Sequence, residues 1–195
     1  MIFTLVFGSV AGGIAITKLG FYSPFYIIGT ALGLIGSALL YTSTTTTSAG
    51  NIYGYTILVG LGSGMYSQAG FAVAQAKVPK NHVGSAIGFL TTGQLLGAVI
   101  SLSVGGTVLI NNATAGLTEL LPDVPIETIK NAIAGTAGAF FGTLDDATRE
   151  AALKVIVQSI DKVYILTITA GAVGFVASVF LKHERIFVEG GVPAA

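Results

Sequence analysis

Val163–Leu181, VYILTITAGAVGFVASVFL, is bounded by Lys162 and Lys182 and carries no charge between them. At helical rise it is about 28 Å long, close to a hydrocarbon core of about 30 Å. The pattern recurs outward along the chain. Residues 19–76 hold no charged side chain, and residues 81–118 hold none apart from His82. A charge at the centre of a spanning helix costs about 2.5–3.5 kcal/mol, which accounts for runs that exclude it. Charged residues make up 9% of the chain, against about 25% in a soluble domain. Hydrophobic residues make up 52%, and mean hydropathy is +0.82. So few charges cannot cover a soluble globule, and disorder needs low hydrophobicity with high charge. Period-two alternation is absent, which argues against a membrane β-barrel. The class is an all-α integral membrane protein.

Turn signals divide the chain into five spanning helices. Residues 1–110 hold four of them, at about 1–17, 24–41, 52–76 and 84–110. Residues 111–162 form a connection with an amphipathic helix, 163–181 the fifth span, and 182–195 a tail. The first span is short, lacks a charged leader region, and opens without a preceding loop, so the chain is expected to begin inside a larger protein. Ser23-Pro24 reads as the N-cap and first position of the second helix. Thr143 with Asp146 three residues on resembles a capping box. It opens a helix expected to carry Leu153, Ile156, Val157 and Ile160 on one side and to run into the fifth span.

The cations set the orientation. Lys18, Lys77, Lys80, Lys182 and Arg185 all fall in short segments on one side, and the short segments opposite have none. The positive-inside rule then puts the C-terminus in the cytoplasm and the N-terminus outside, in a multi-pass protein expected at the plasma membrane. Asn112-Ala113-Thr114 is a glycosylation sequon, and this topology places it outside. Net charge is zero and no basic cluster suggests nucleic acid. With no cysteine, disulfides and thiolate chemistry are impossible. His82 and His183 sit beside lysines outside the apolar runs and read as solvated. No metal or cofactor site is expected. No span contains Asp, Glu or His, so a serine nucleophile would lack a base and the chain is not expected to be an enzyme.

Glycines recur at four-residue spacing in the spans: Gly8/Gly12, Gly29/Gly33, Gly60/Gly64, Gly84/Gly88 and Gly93/Gly97. Such faces let helix backbones approach closely where lipid offers no hydrophobic contrast. The polar residues are more selective. Gln68 and Gln75 share a face of the third helix, and Thr91, Gln94 and Ser101 share a face of the fourth. An amide in lipid is unsatisfied, so these faces point into protein or a water-filled path. Interhelical hydrogen bonding and a substrate-facing role remain equal readings.

Gly13-Ile-Ala-Ile-Thr17-Lys18-Leu-Gly20-Phe-Tyr22-Ser-Pro24-Phe25 resembles the cytoplasmic helix–helix turn of the major facilitator superfamily, with Gly13, Lys18 and Gly20 as its motif residues. Ile52 to Gln68, Ala-Gln75 and Thr92-Gly93-Gln94-Leu-Leu-Gly97 resemble the C-terminal half of fungal fourteen-span drug or toxin:proton antiporters. The likeness covers almost the whole chain. It implies the last five spans of such a bundle, with the first, third and fourth helices beside the central cavity and the second and fifth peripheral. The motif's acidic member is Thr17 here, so Lys18 has no acidic partner in this turn.

The resemblance implies part of a proton-coupled efflux transporter for small amphipathic organic substrates. Such a piece is not competent alone, because alternating access needs two halves. Its partners are the lipid bilayer and the missing N-terminal half or other membrane helices. Two alternatives come from other classes: a non-transporting membrane protein that packs through its glycine faces, and a small oligomeric channel. The charge asymmetry makes a testable prediction of topology. In microsomes, a C-terminal tag should be digested by added protease, and glycosidase should shift the mobility of a chain carrying a glycan at Asn112. A cytosolic residue 112 would reverse the orientation.

Overall fold

The computed structural model describes residues 2–135, 138–188 and 192–193. Seven helices follow in order: α1 (Ile2–Leu19), α2 (Ser23–Tyr41), α3 (Ala49–Lys77), α4 (Val83–Leu120), α5 (Ile126–Ile133), α6 (Gly138–Gly142) and α7 (Asp146–Val179). Five of them, α1 to α4 and α7, are long and apolar enough to cross a membrane. A two-residue antiparallel ladder, Phe187–Val188 against Val192–Pro193, is the other regular element among the described residues.

Helix α3 is the hub. It packs extensively against α1 and α2, α2 packs against α7, and α7 packs against α4. The α3 contacts are backbone on backbone. A Cβ at Gly8 of α1 would lie 2.7 Å from the Leu61 carbonyl oxygen, and one at Gly29 of α2 would lie 2.9 Å from that of Gly62. In return, a Cβ on Gly62 would overlap Gly29 and Gly33, and one on Gly64 would overlap Leu5 and Ser9. The glycine faces of the first three helices therefore close on one another. On α4 the same spacing is unpartnered: Cβ atoms at Gly84, Gly88, Gly93 and Gly97 would meet nothing within 4 Å.

The helix starts differ from the sequence reading. Tyr22, not Ser23, precedes the first turn of α2 and makes no side-chain cap. Its carbonyl accepts from the N–H groups of Phe25 (3.1 Å) and Tyr26 (3.3 Å), so the turn closes one residue earlier and Ser23 is buried inside it. At α7 the capping box from Thr143 is not formed. The Thr143 hydroxyl donates backwards to Phe140 O at 2.7 Å. Asp145 takes the cap, accepting from Thr148 N at 3.1 Å, and the Thr148 hydrogen bonds hold its carboxyl below the usual carboxylate range.

Helix α4 does not stop near Ile110. Its 38 residues measure about 57 Å, far more than the hydrocarbon core. Its last turns lie against the start of α7 and against α5, and Leu117, Ile129 and Ala152 form a buried cluster with Leu120, Val124, Val155 and Ile156 around it. Residues 111–162 thus hold a small helical cap with its own core. The inward face of early α7 carries Ala152, Val155, Ile156 and Ser159, whereas Leu153 and Ile160 are exposed, contrary to the expected stripe. Val155 packs onto Gly116 of α4, where a Cβ would come 2.6 Å from Val155 Cγ1.

The two kinds of glycine separate in a simple experiment. Gly64→Ala should cost about 1–3 kcal/mol through overpacking, whereas Gly88→Ala should leave stability unchanged or raise it slightly. Thermal melting of the detergent-solubilised protein, followed by size-exclusion elution, measures both. Equal sensitivity at the two positions would contradict this packing.

Candidate substrate path

Helices α3 and α4 carry the four polar residues expected along a path. Gln94 Nε2 donates to Ser67 Oγ across the α3–α4 gap at 3.1 Å. Gln68 turns elsewhere. Its side chain lies over Gly13 of α1, where a Cβ would stand 3.3 Å from Gln68 Cγ and 3.5 Å from Nε2. Neighbouring residues on α3 point about 100° apart, so Ser67 serves α4 while Gln68 serves α1. Thr91 donates to Ile87 O of its own helix at 2.9 Å. Gln75 is exposed near the end of α3. The structure therefore joins Gln94 to Ser67, a residue the sequence reading missed, and brings Gln68 onto the motif glycine. Ser67 had a signal: it follows Gly60 and Gly64 on the close-packing side of the same helix.

The motif turn is built by its last glycine. Gly20 has φ 77°, a left-handed conformation that side chains disfavour, and its N–H caps α1 on Ile16 O at 2.8 Å. Thr17, at the acidic position of the motif, donates into its own helix at Gly13 O (3.1 Å) and Ile14 O (2.9 Å). Lys18 makes no ion pair among the described residues.

A contact not legible in the sequence closes this turn. The segment after α7 folds back over it: Ile186 N donates to Gly20 O at 2.8 Å, and Phe21 bridges Arg185. His183 stacks on Phe21 with centroids 4.9 Å apart, and the Arg185 guanidinium lies 5.1 Å from the same ring. Ile186 is 1% exposed and packs with Ile16, Tyr22, Phe25, Ala69 and Ala72. Lys77 Nζ meets Glu184 Oε1 at 3.2 Å, tying the end of α3 to the same segment. The return to apolar residues at Ile186-Phe187-Val188 after Lys182-His183-Glu184-Arg185 was the available signal.

At the opposite end Asn112 lies within α4. Its Nδ2 donates to Val108 O at 2.8 Å and its Oδ1 accepts from Lys162 Nζ at 2.7 Å. Among the described residues no three His, Asp or Glu side chains group as metal ligands would. Hydroxyls and amides in an apolar setting can bind neutral groups through hydrogen bonds; they offer neither a nucleophile–base pair nor a charge clamp.

Comparison with known proteins gives close relatives. The chain is 41% identical over 184 residues to "MFS-type transporter pgmG" of Aspergillus terreus, matching 94% of this chain and 33% of that protein. It is 45% identical over 190 residues to "Efflux pump alnA" of Emericella nidulans, matching 97% of this chain and 34% of the pump. With "Efflux pump DEP3" of Fusarium langsethiae it shares 38% over 178 residues, 91% of this chain and 32% of the pump. The chain thus spans about one third of the length of these relatives. No family model matches it, and no solved structure does.

The closing contact at the turn has a measurable consequence. Ile186→Ala removes a buried side chain and should cost about 2–5 kcal/mol of local stability, exposing Lys182 and Arg185 to trypsin. Glu184→Gln removes a half-exposed ion pair and should cost under about 1 kcal/mol, leaving proteolysis nearly unchanged. Tail cleavage at equal rates in both variants would show that Ile186 does not anchor the segment.

Proposed function

We propose that this chain, which belongs to the major facilitator superfamily of membrane transporters, supplies part of the translocation unit of an efflux transporter. It is a multi-pass membrane protein, and the bilayer is its environment. The observation that carries the reading is the 41–45% identity to a named MFS-type transporter and a named efflux pump along nearly the whole chain. A second observation fits it. Helix α4 leaves Phe89, Leu95, Leu96, Val99, Ile100 and Leu102 exposed beside its open glycines, a surface suited to further helices. Those helices would be the half of the bundle that this sequence does not contain.

In this reading the cargo is a small amphipathic organic molecule, a drug or toxic metabolite, exported across the plasma membrane in exchange for protons. Gln68 and Gln94 face the path, with Gln75 and Thr91 nearby. Gln94 and Ser67 then form a polar bridge that cargo can break and replace, because a membrane hydrogen bond of this kind is worth only about 1 kcal/mol. The apolar spans carry no carboxylate of their own, so proton coupling falls to residues outside this chain. Reconstituted alone, the chain should dissipate no pH gradient and accumulate no dye. The N-terminus lies outside, the C-terminus in the cytoplasm, and a glycan on Asn112 would be external.

Substitution separates a path residue from a mere helix–helix tie. In the complete transporter, Gln94→Leu should change the order of substrate preference while Ser67→Ala, which removes the same hydrogen bond, should not. Cysteines introduced at 68 and 94 should react with water-soluble thiol reagents, and substrate should slow the reaction. This chain has no native cysteine, so only cysteines elsewhere in the complete transporter need replacing first. If Ser67→Ala and Gln94→Leu act alike and both cysteines stay inert, the glutamines are structural.

A further inference from the structure

A cavity of about 480 Å³ lies between α2, α3 and α7, away from all four glutamine and threonine positions above. It falls in the size range of sites for drug-sized ligands. Along α7 it extends from Thr167 to Ser178, about 17 Å at helical rise, so it is elongated along the helices. Its lining includes no charged residue. What marks it as a site is its hydroxyls. Ser37, Ser63, Tyr66 and Thr167 line it, and none makes a hydrogen bond to a described residue. Ser37 is 2% exposed. Serine on a helix ordinarily bonds back to the preceding turn, as Ser178 does to Phe175 O at 2.7 Å. Ser37 forgoes that bond inside an apolar span, where no bulk water replaces it. At the cytoplasmic end Thr30 Oγ1 and Ser178 Oγ approach to 3.4 Å across the cavity wall. The cavity is kept open by absent side chains: a Cβ at Gly33 would meet nothing within 4 Å, and Gly171 and Gly174 face Leu34 and Thr30 at ordinary contact distance.

We infer that this cavity binds one uncharged, elongated molecule with an apolar body and hydrogen-bonding oxygens, at a site separate from the glutamine path. The absence of charge excludes a phospholipid headgroup or an ionised acid as its preferred group. The free hydroxyls of Ser37, Ser63 and Thr167 receive the ligand's oxygens, and the glycine floor at Gly33 and Gly171 receives its flat apolar body. A membrane sterol and a neutral transported metabolite share this chemistry.

Photolabelling tests the site and separates the sources. The longest product of the gene is held in native membranes and labelled with a diazirine-bearing sterol, and the modified peptides are mapped. Label should fall on α2, α3 and α7. Gly33→Leu, whose Cβ has open space and whose side chain would occupy the cavity, should reduce it about tenfold, and Ser37→Ala should reduce it about fivefold, the worth of one hydrogen bond. Gly88→Leu, on the open face of α4, should leave it unchanged. Competition by excess unlabelled sterol, but not by an extract of secreted neutral metabolites, assigns the site to a lipid; competition by the extract assigns it to cargo. If Gly33→Leu lowers the amount of protein in the membrane, Ser37→Ala decides alone. Undiminished label in Ser37→Ala, or label confined to α1 or α4, overturns the inference. Neither result bears on Gln68 and Gln94, whose reading stands on thiol labelling.

Discussion

Among the described glycines the tightest packing is backbone against backbone, where α3 meets α1 at Gly8 and Gly64 and α2 at Gly29, Gly33 and Gly62. In water, burial of apolar area would drive such packing. In a bilayer that contrast is nearly absent, and dispersion between surfaces that fit closely takes its place. The remaining geometry follows from this contact. With α1 and α2 fixed on two sides of α3, the adjacent residues Ser67 and Gln68 are aimed at different neighbours. The turn between α1 and α2 is held at the end of α3, where Lys77 and the returning Glu184 meet.

Most of the membrane architecture was legible in the sequence because its signals are coarse. Charge exclusion over residues 19–76, 81–118 and 163–181 marks helices without any knowledge of their partners. The glycine spacing marked α1, α2 and α3 faces that the structure does close. It marked Gly84, Gly88, Gly93 and Gly97 equally, and these are open; spacing reports the capacity for close packing and says nothing of whether a neighbour is present. The ends of the helices were less legible, because caps depend on which carbonyl reaches a free N–H first. Tyr22 displaced Ser23 by one residue, and Asp145 displaced Thr143 by two.

The cap was the largest element beyond reach of local reading. Asn111-Asn112-Ala113-Thr114-Ala115-Gly116 looks like a helix stop, since asparagine and glycine favour turns. Tertiary contacts override that preference. Asn112 spends its amide on Val108 O and Lys162, and Gly116 admits Val155. Leu117 then reaches Ile129 and Ala152. Of the candidate site, the residue types were legible and the pairing was not: Gln94 was visible as a costly amide, but its partner Ser67 looked like one small residue among many. The cavity beside Ser37 was invisible in principle, because it is made of side chains that are missing.

Helix α7 is secured at both ends. Its start is capped by Asp145, buttressed by α5 and tied to α4 through Lys162. Its end leads directly into Ile186 and the turn of α1. Between these anchors it lies on α2, so α2, α3 and α7 with the turn form one body held by buried backbone and a seated isoleucine. The first half of α4 belongs to that body far less. Among the described residues its side-chain hydrogen bond across the gap to α3 is Gln94–Ser67, and a Cβ at Gly84, Gly88, Gly93 or Gly97 would meet nothing within 4 Å. A contact worth about 1 kcal/mol yields long before a glycine interface that would need overlapping backbones to slide. The first half of α4 is therefore the least secured part of the described bundle, whereas its far end is held through Asn112 and Leu117.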